Sequence, residues 1–246
     1  MLKSFEVVAG FSRILLGLLF AQAAGPQSPS GVSRQPCRSG STPDQIITAC
    51  TAEIQSGQDT AEEKAKAYQN RGNAYRAKEL FDLALQSYEE AIKLDPGLVD
   101  VVGDRGITLM ARGRYADAII DFSHVIEHDP KSVYAYYDRG LAYELMGLDD
   151  LAIEDYTAAI AAEPRDAHHR ERRGTIYFRK GEIDKALADY EDALKFDPQY
   201  APALYGRGII KLRRGDRAGG GADVAQAKHF QENVDRVMSQ AGVREK

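Results

Sequence analysis

Tryptophan is absent from this chain, and only two cysteines and four methionines occur in its 246 residues. So few cysteines exclude a disulfide-dense miniprotein, and with 43% hydrophobic residues the chain is long enough to bury a core of its own. Basic residues are in deficit: 32 Lys and Arg stand against 37 Asp and Glu, a formal charge of −5. Phosphate backbones demand clustered cations, so no nucleic-acid partner is expected. Beyond residue 24 no apolar run approaches the ~20 residues that a bilayer span needs.

The amino-terminal stretch differs from the rest. Lys3 and Arg13 precede an apolar run over residues 14–24, which ends in Ala21-Gln22-Ala23. That pattern reads as a secretory signal over residues 1–23, with an uncleaved anchor as the alternative. No stable membrane span is then expected after its removal, and the expected destination is the periplasm. An exported chain meets an oxidising compartment, so Cys37 and Cys50 are expected to form a disulfide, with two free buried thiols as the alternative. Residues 24–43 are rich in Gly, Pro, Ser and Thr and read as an irregular lead-in.

From Ala65 the sequence overlays on itself at a shift of 34 residues. Glycine recurs at the eighth place of each unit as Gly72, Gly106, Gly140, Gly174 and Gly208, each preceded by an arginine: Arg71, Arg105, Arg139, Arg173 and Arg207. Alanine follows at Ala84, Ala118, Ala152 and Ala186, and an aromatic at Tyr88, Phe122, Tyr156 and Tyr190. Pro96, Pro130, Pro164 and Pro198 close the units, each after an acidic residue. Small residues at fixed places let two helix backbones approach, and the interspersed aromatics fill the space between them. A second glycine (Gly113, Gly147, Gly181, Gly215) ends the first helix, and the proline ends the second.

Tyr68, Gly72, Tyr75, Ala84, Tyr88, Ala91 and Pro96 resemble the tetratricopeptide-repeat signature. The resemblance implies an all-α, right-handed α-solenoid of stacked antiparallel helix pairs. Its units are expected at 65–98, 99–132, 133–166 and 167–200, with a degenerate fifth unit and capping helix over 201–246. Gly219-Gly220-Gly221 is expected to weaken or break the second helix of that fifth unit, and a short capping helix is expected from Asn233 to Gln240. Residues 44–62 read as an amino-terminal half-repeat cap. Aligned on a second helix, Cys50 takes the aromatic core place, so a bridge to Cys37 would pin the lead-in over the open end of the stack.

The resemblance further implies that the second, fifth, ninth, twelfth and thirteenth places of each unit line a groove. Candidate peptide-binding residues are Asn73, Ile107, Met110, Tyr134, Tyr137, Leu141, Phe178 and Tyr205, which make the expected middle of the groove apolar and aromatic. Relatives that clamp a terminal carboxylate use lysines, an arginine and asparagines at such places. Here only Asn73 fits: Gln69, Ile107, Tyr137 and Leu141 replace the others, so clamp chemistry is rejected. An amphipathic helix or an extended apolar peptide suits an aromatic groove. The competing expectation for the tyrosines is packing on neighbouring helices.

Five stacked arginines offer an anion track, or else partners for Asp121, Asp155, Asp189 and Asp223, which recur at the same period; the paired reading is preferred. No catalytic constellation stands out. His168 and His169 are adjacent, which denies one metal both rings on a helix, and His124 with His128 has i, i+4 spacing without an evident third ligand. The glycines at 219–221 lack the lysine and spacing of a phosphate loop. The expected protein is a non-catalytic interaction scaffold without cofactor or metal. Its partner is another protein or peptide held in the groove; the alternative is a structural subunit of an envelope assembly that uses its convex face or its ends.

Overall fold

A computed structural model of the chain describes Cys37 and residues 42–244. The expected signal segment and most of the lead-in lie outside the described residues. Within them all regular structure is helical, in two compact units that meet at His128 and Asp129.

The first unit holds α1 (Pro43–Ser56), α2 (Ala61–Ala77), α3 (Phe81–Leu94), α4 (Val99–Ala111) and α5 (Tyr115–His128). Each helix packs on the next one in sequence. Thr42 starts α1: its hydroxyl accepts from the Gln45 amide, and the Gln45 side chain accepts from the Thr42 amide at 2.9 Å. Thr60 and Glu63 repeat the arrangement at the head of α2. Cys37 and Cys50 are joined, and the bridge sits in a small core with Ala67, Ile46 and Ile54. The Asn70 side chain donates to the Cys37 carbonyl at 2.6 Å, tying the lead-in to α2.

The second unit holds α6 (Val133–Leu145), α7 (Asp149–Ala162), α8 (Ala167–Arg179), α9 (Ile183–Phe196), α10 (Ala201–Arg213), α11 (Arg217–Phe230) and α12 (Val234–Gln240). Its main core gathers Tyr190, Leu204, Ile209 and Ile210, and α12 closes it with Val234 and Met238. The capping helix therefore starts one residue later than expected.

The periodic small residues act through close approach. A Cβ on Gly72 would lie 2.6 Å from Tyr88 Cε1, inside contact distance, so only glycine lets α2 and α3 close. At the turn between paired helices, Gly113, Gly147, Gly181 and Gly215 have φ between 74° and 89°, where a side chain is disfavoured. The first repeat breaks this rule, with Glu79 at φ 60°.

One expectation is overturned. The glycines at 219–221 do not interrupt the second helix of the fifth repeat: α11 runs through them for 14 residues. A Cβ on Gly220 would meet the Gly208 carbonyl and the Leu212 amide at 2.8 Å, so this glycine allows α10 and α11 to touch backbone to backbone. The Asp216 carboxylate caps the helix by accepting from the Gly219 amide at 2.8 Å. Packing and capping outweigh a propensity cost of about 1 kcal/mol per glycine.

Candidate interaction surface on the first helices

The arginine row is the first candidate to resolve. Arg105 grips Asp121 through Nε and Nη2 at 2.9 and 2.7 Å, Arg139 grips Asp155 at 2.8 and 2.8 Å, and Arg173 grips Asp189 at 2.9 and 2.7 Å. Arg207 holds Asp223 the same way at 2.7 and 2.8 Å. In the first repeat a serine replaces the aspartate, and Arg71 Nε donates to Ser87 Oγ at 3.3 Å. These forks join the first helix of each pair to the second, with the aspartates buried. The recurring arginines are staples, and four of the five cations of the anion-track alternative are paired with buried aspartates.

The groove candidates divide by exposure. Tyr134, on α6, is 44% exposed. Ile107 and Leu141 are half-buried, while Met110, Phe178 and Tyr205 are buried. Phe178 belongs to the main core of the second unit and lies 4.6 Å from the Arg213 guanidinium carbon. Asn73 Oδ1 accepts from the Tyr88 hydroxyl at 2.6 Å. Tyr137 is half-buried too, with rings beside it: its centroid lies 5.7 Å from Tyr156, 5.0 Å from His168 and 5.3 Å from His169.

What sequence reasoning missed is charge beneath this face. On α6 and α8, Glu144 pairs with Arg172 at 3.1 Å and with Arg179 at 2.9 Å, and its side chain is only 8% exposed. Tyr156 donates to the same carboxylate at 3.0 Å. Burial works to raise the Glu144 carboxyl, but the Arg172 and Arg179 guanidinium groups outweigh it and hold it below the usual range. Glu171 has no such majority: burial raises it despite Arg172 and the hydrogen bond from Thr175 at 2.7 Å. Burial also pushes His168 down to about 4, so its imidazole stays neutral at pH 7.

The first unit carries a similar network of opposite polarity. Arg76 meets Asp104 at 3.2 Å and donates to Tyr88 Oη at 3.3 Å, and Gln69 donates to Asp104 at 3.5 Å. Burial raises the Asp104 carboxyl, with Arg76 pulling against it, and pushes the Tyr88 hydroxyl up to about 12. A signal for this existed in the sequence. Where the aromatic of the second helix is tyrosine, the ninth or twelfth place supplies a hydrogen-bond partner: Asn73 and Arg76 for Tyr88, Glu144 for Tyr156, and Thr175 for Tyr190 at 3.0 Å. Where it is Phe122, those places hold Ile107 and Met110.

The His124 and His128 rings stack at 4.3 Å, and His128 Nδ1 lies 2.9 Å from the His124 carbonyl.

Helix pairs stapled at one period, with side chains displayed from the first helix of each, define an α-helical repeat protein of the solenoid class. Two family models described as "Tetratricopeptide repeat" match residues 65–98 and 133–166 respectively, and a third described as "TPR repeat" matches 106–147 and 174–215. The chain belongs to the tetratricopeptide-repeat family. Among curated proteins it is similar to DnaJ homolog subfamily C member 7 of Mus musculus, 33% identical over 76 residues. That match covers 31% of this chain and 15% of the mouse protein's length. Among solved structures it is similar to MamA, with 29% identity and a TM-score of 0.61, over 66% of this chain and 95% of that one. It is also similar in fold to YrrB, "a TPR protein with an unusual peptide-binding site", with 20% identity and a TM-score of 0.61 over 80% and 98% of the two chains.

Proposed function

We propose that this chain is a non-catalytic protein-protein interaction scaffold of the cell envelope that binds an apolar or amphipathic segment of a partner along the first helices of its repeats. One observation carries the reading. Tyr134 stands 44% exposed on α6, and the half-buried Leu141 lies two turns further along the same helix face. Solvent-facing aromatic and aliphatic anchors over a rigid framework are what peptide recognition draws on. The framework here is the network in which Glu144 pairs with Arg172 and Arg179 beneath these residues. The peptide site named for YrrB, which shares this fold, supports the same use of the architecture.

The envelope location rests on the amino-terminal sequence, and the bond between Cys37 and Cys50 supports it, since disulfides persist in oxidising compartments. A second reading, a structural subunit of an envelope assembly, draws on another patch. Leu145, Met146, Leu148 and Leu151 are all exposed around the turn from α6 to α7.

A photo-crosslinking residue placed at 134 or at 151 separates the two in the native host. Crosslinks to one partner from 134, lost in a Leu141→Ala background, are expected. Crosslinks from 151 alone would replace the groove reading with the assembly reading. An alkaline-phosphatase fusion after residue 60 is expected to be active, and an inactive fusion would remove the envelope.

A further inference from the structure

The turn from α7 to α8 departs from the other repeat turns at three places at once. In the other turns the acidic residue before the proline is aspartate, and its carboxylate accepts from an amide two residues on: Asp95 from Gly97 at 3.0 Å, Asp129 from Lys131 at 3.1 Å and Asp197 from Gln199 at 3.0 Å. Here it is Glu163, whose longer side chain instead reaches to 4.0 Å from His169 Nε2. The last place of the unit, Leu98, Ser132 or Tyr200 elsewhere, is Asp166. The third place of the next unit, a buried Ala67, Val101, Ala135 or Ala203 elsewhere, is His169.

His169 is 7% exposed, and neither of its ring nitrogens has a hydrogen-bond partner. A buried imidazole without a partner for either nitrogen is costly unless something else supplies one. Asp166 Oδ1 is engaged by the His168 and His169 amides at 2.6 and 3.3 Å, as the cap of α8. One ligand atom each from Glu163, Asp166 and His169 can be chosen so that all lie within 4.8 Å of one another.

We propose that Glu163, Asp166 and His169 bind a divalent transition-metal ion, with Zn²⁺ the best match to one imidazole and two carboxylates. Ligand bonds of about 2 Å in tetrahedral geometry set ligand atoms about 3.3 Å apart. The three groups must therefore close by up to about 1.5 Å, a shift to which rotation of the exposed Glu163 side chain contributes. Water completes the coordination on the solvent side. The ion takes the place of the hydrogen bond that His169 lacks and fastens the turn to the start of α8.

The test uses the full chain, stripped of metal with a chelator and titrated with ZnCl₂ by calorimetry, with thermal melting alongside. One ion per chain and a rise in melting temperature are expected. His169→Ala restores the residue that three other repeats carry at this place, so it is expected to fold as well as the wild type and to bind at least tenfold more weakly. Asp166→Asn keeps a capping side chain and Glu163→Gln keeps the turn backbone; each removes a charge and is expected to weaken binding to a similar degree. His128→Gln is expected to leave binding unchanged. Absence of binding to the wild type, or binding undiminished in a folded His169→Ala chain, would overturn the site.

Discussion

Glu144 and Arg172 form a buried ion pair at 3.1 Å between the first helices of consecutive repeats. Two repeats earlier, Arg76 and Asp104 hold the same two places at 3.2 Å with the charges exchanged. The two contacts share their places in the repeat and are opposite in sign. Breaking a buried pair from one side strands the other charge. Glu144→Leu is expected to cost about 3–5 kcal/mol in chemical denaturation, and the double change Glu144→Leu, Arg172→Leu to recover much of it. Equal losses in the single and double variants would mean that packing alone is at stake.

Glu79 occupies the left-handed turn position that glycine fills in the four later repeats, with φ 60°. A side chain there costs about 1–2 kcal/mol, partly offset by the greater unfolded-chain entropy of glycine. Glu79→Gly is therefore expected to raise stability by about 1 kcal/mol, and Gly147→Ala to lower it by a similar amount. Thermal melting of the two variants checks both signs.

His168 packs between Tyr137 and Tyr200 beside Arg172, and burial holds it down to about 4 from 6.5. Its folded form refuses a proton that the unfolded chain accepts. The associated stability is fully present above pH 6.5 and is lost as pH falls from 6.5 toward 4, by at most about 3 kcal/mol. His168→Gln is expected to flatten urea-denaturation midpoints across that window, and an unchanged slope would assign the acid sensitivity elsewhere.

Reduction of the bond between Cys37 and Cys50, which spans 13 residues, releases a loop-closure constraint worth about 3 kcal/mol. The effect should be local, since α1 contacts α2 and has no helix on its other side among the described residues. Amide exchange is expected to accelerate over residues 43–56 and to stay slow in α3 and α4.

Repeat periodicity made the fold legible. Gly72, Tyr88 and Pro96, with their counterparts at each later repeat, encode helix length, pairing and turn, because those properties depend on neighbours a fixed distance apart in sequence. The Arg105 and Asp121 staple was legible for the same reason. The glycines at 219–221 misled because propensity is local, whereas the contact of Gly220 with the Gly208 carbonyl belongs to packing. Tyr137 was a groove candidate by its place in the repeat; the rings of Tyr156, His168 and His169 that flank this half-buried side chain were not legible there.

The sequence by itself determined the helical repeat, its period and the cysteines that meet. Tertiary structure alone decided which first-helix side chains face solvent, which charges are buried together, and that His169 faces Glu163 without a hydrogen-bond partner. The physical reason is that a repeat pattern records what every unit shares. Burial and electrostatics are set by the few residues at which one unit differs from its neighbours.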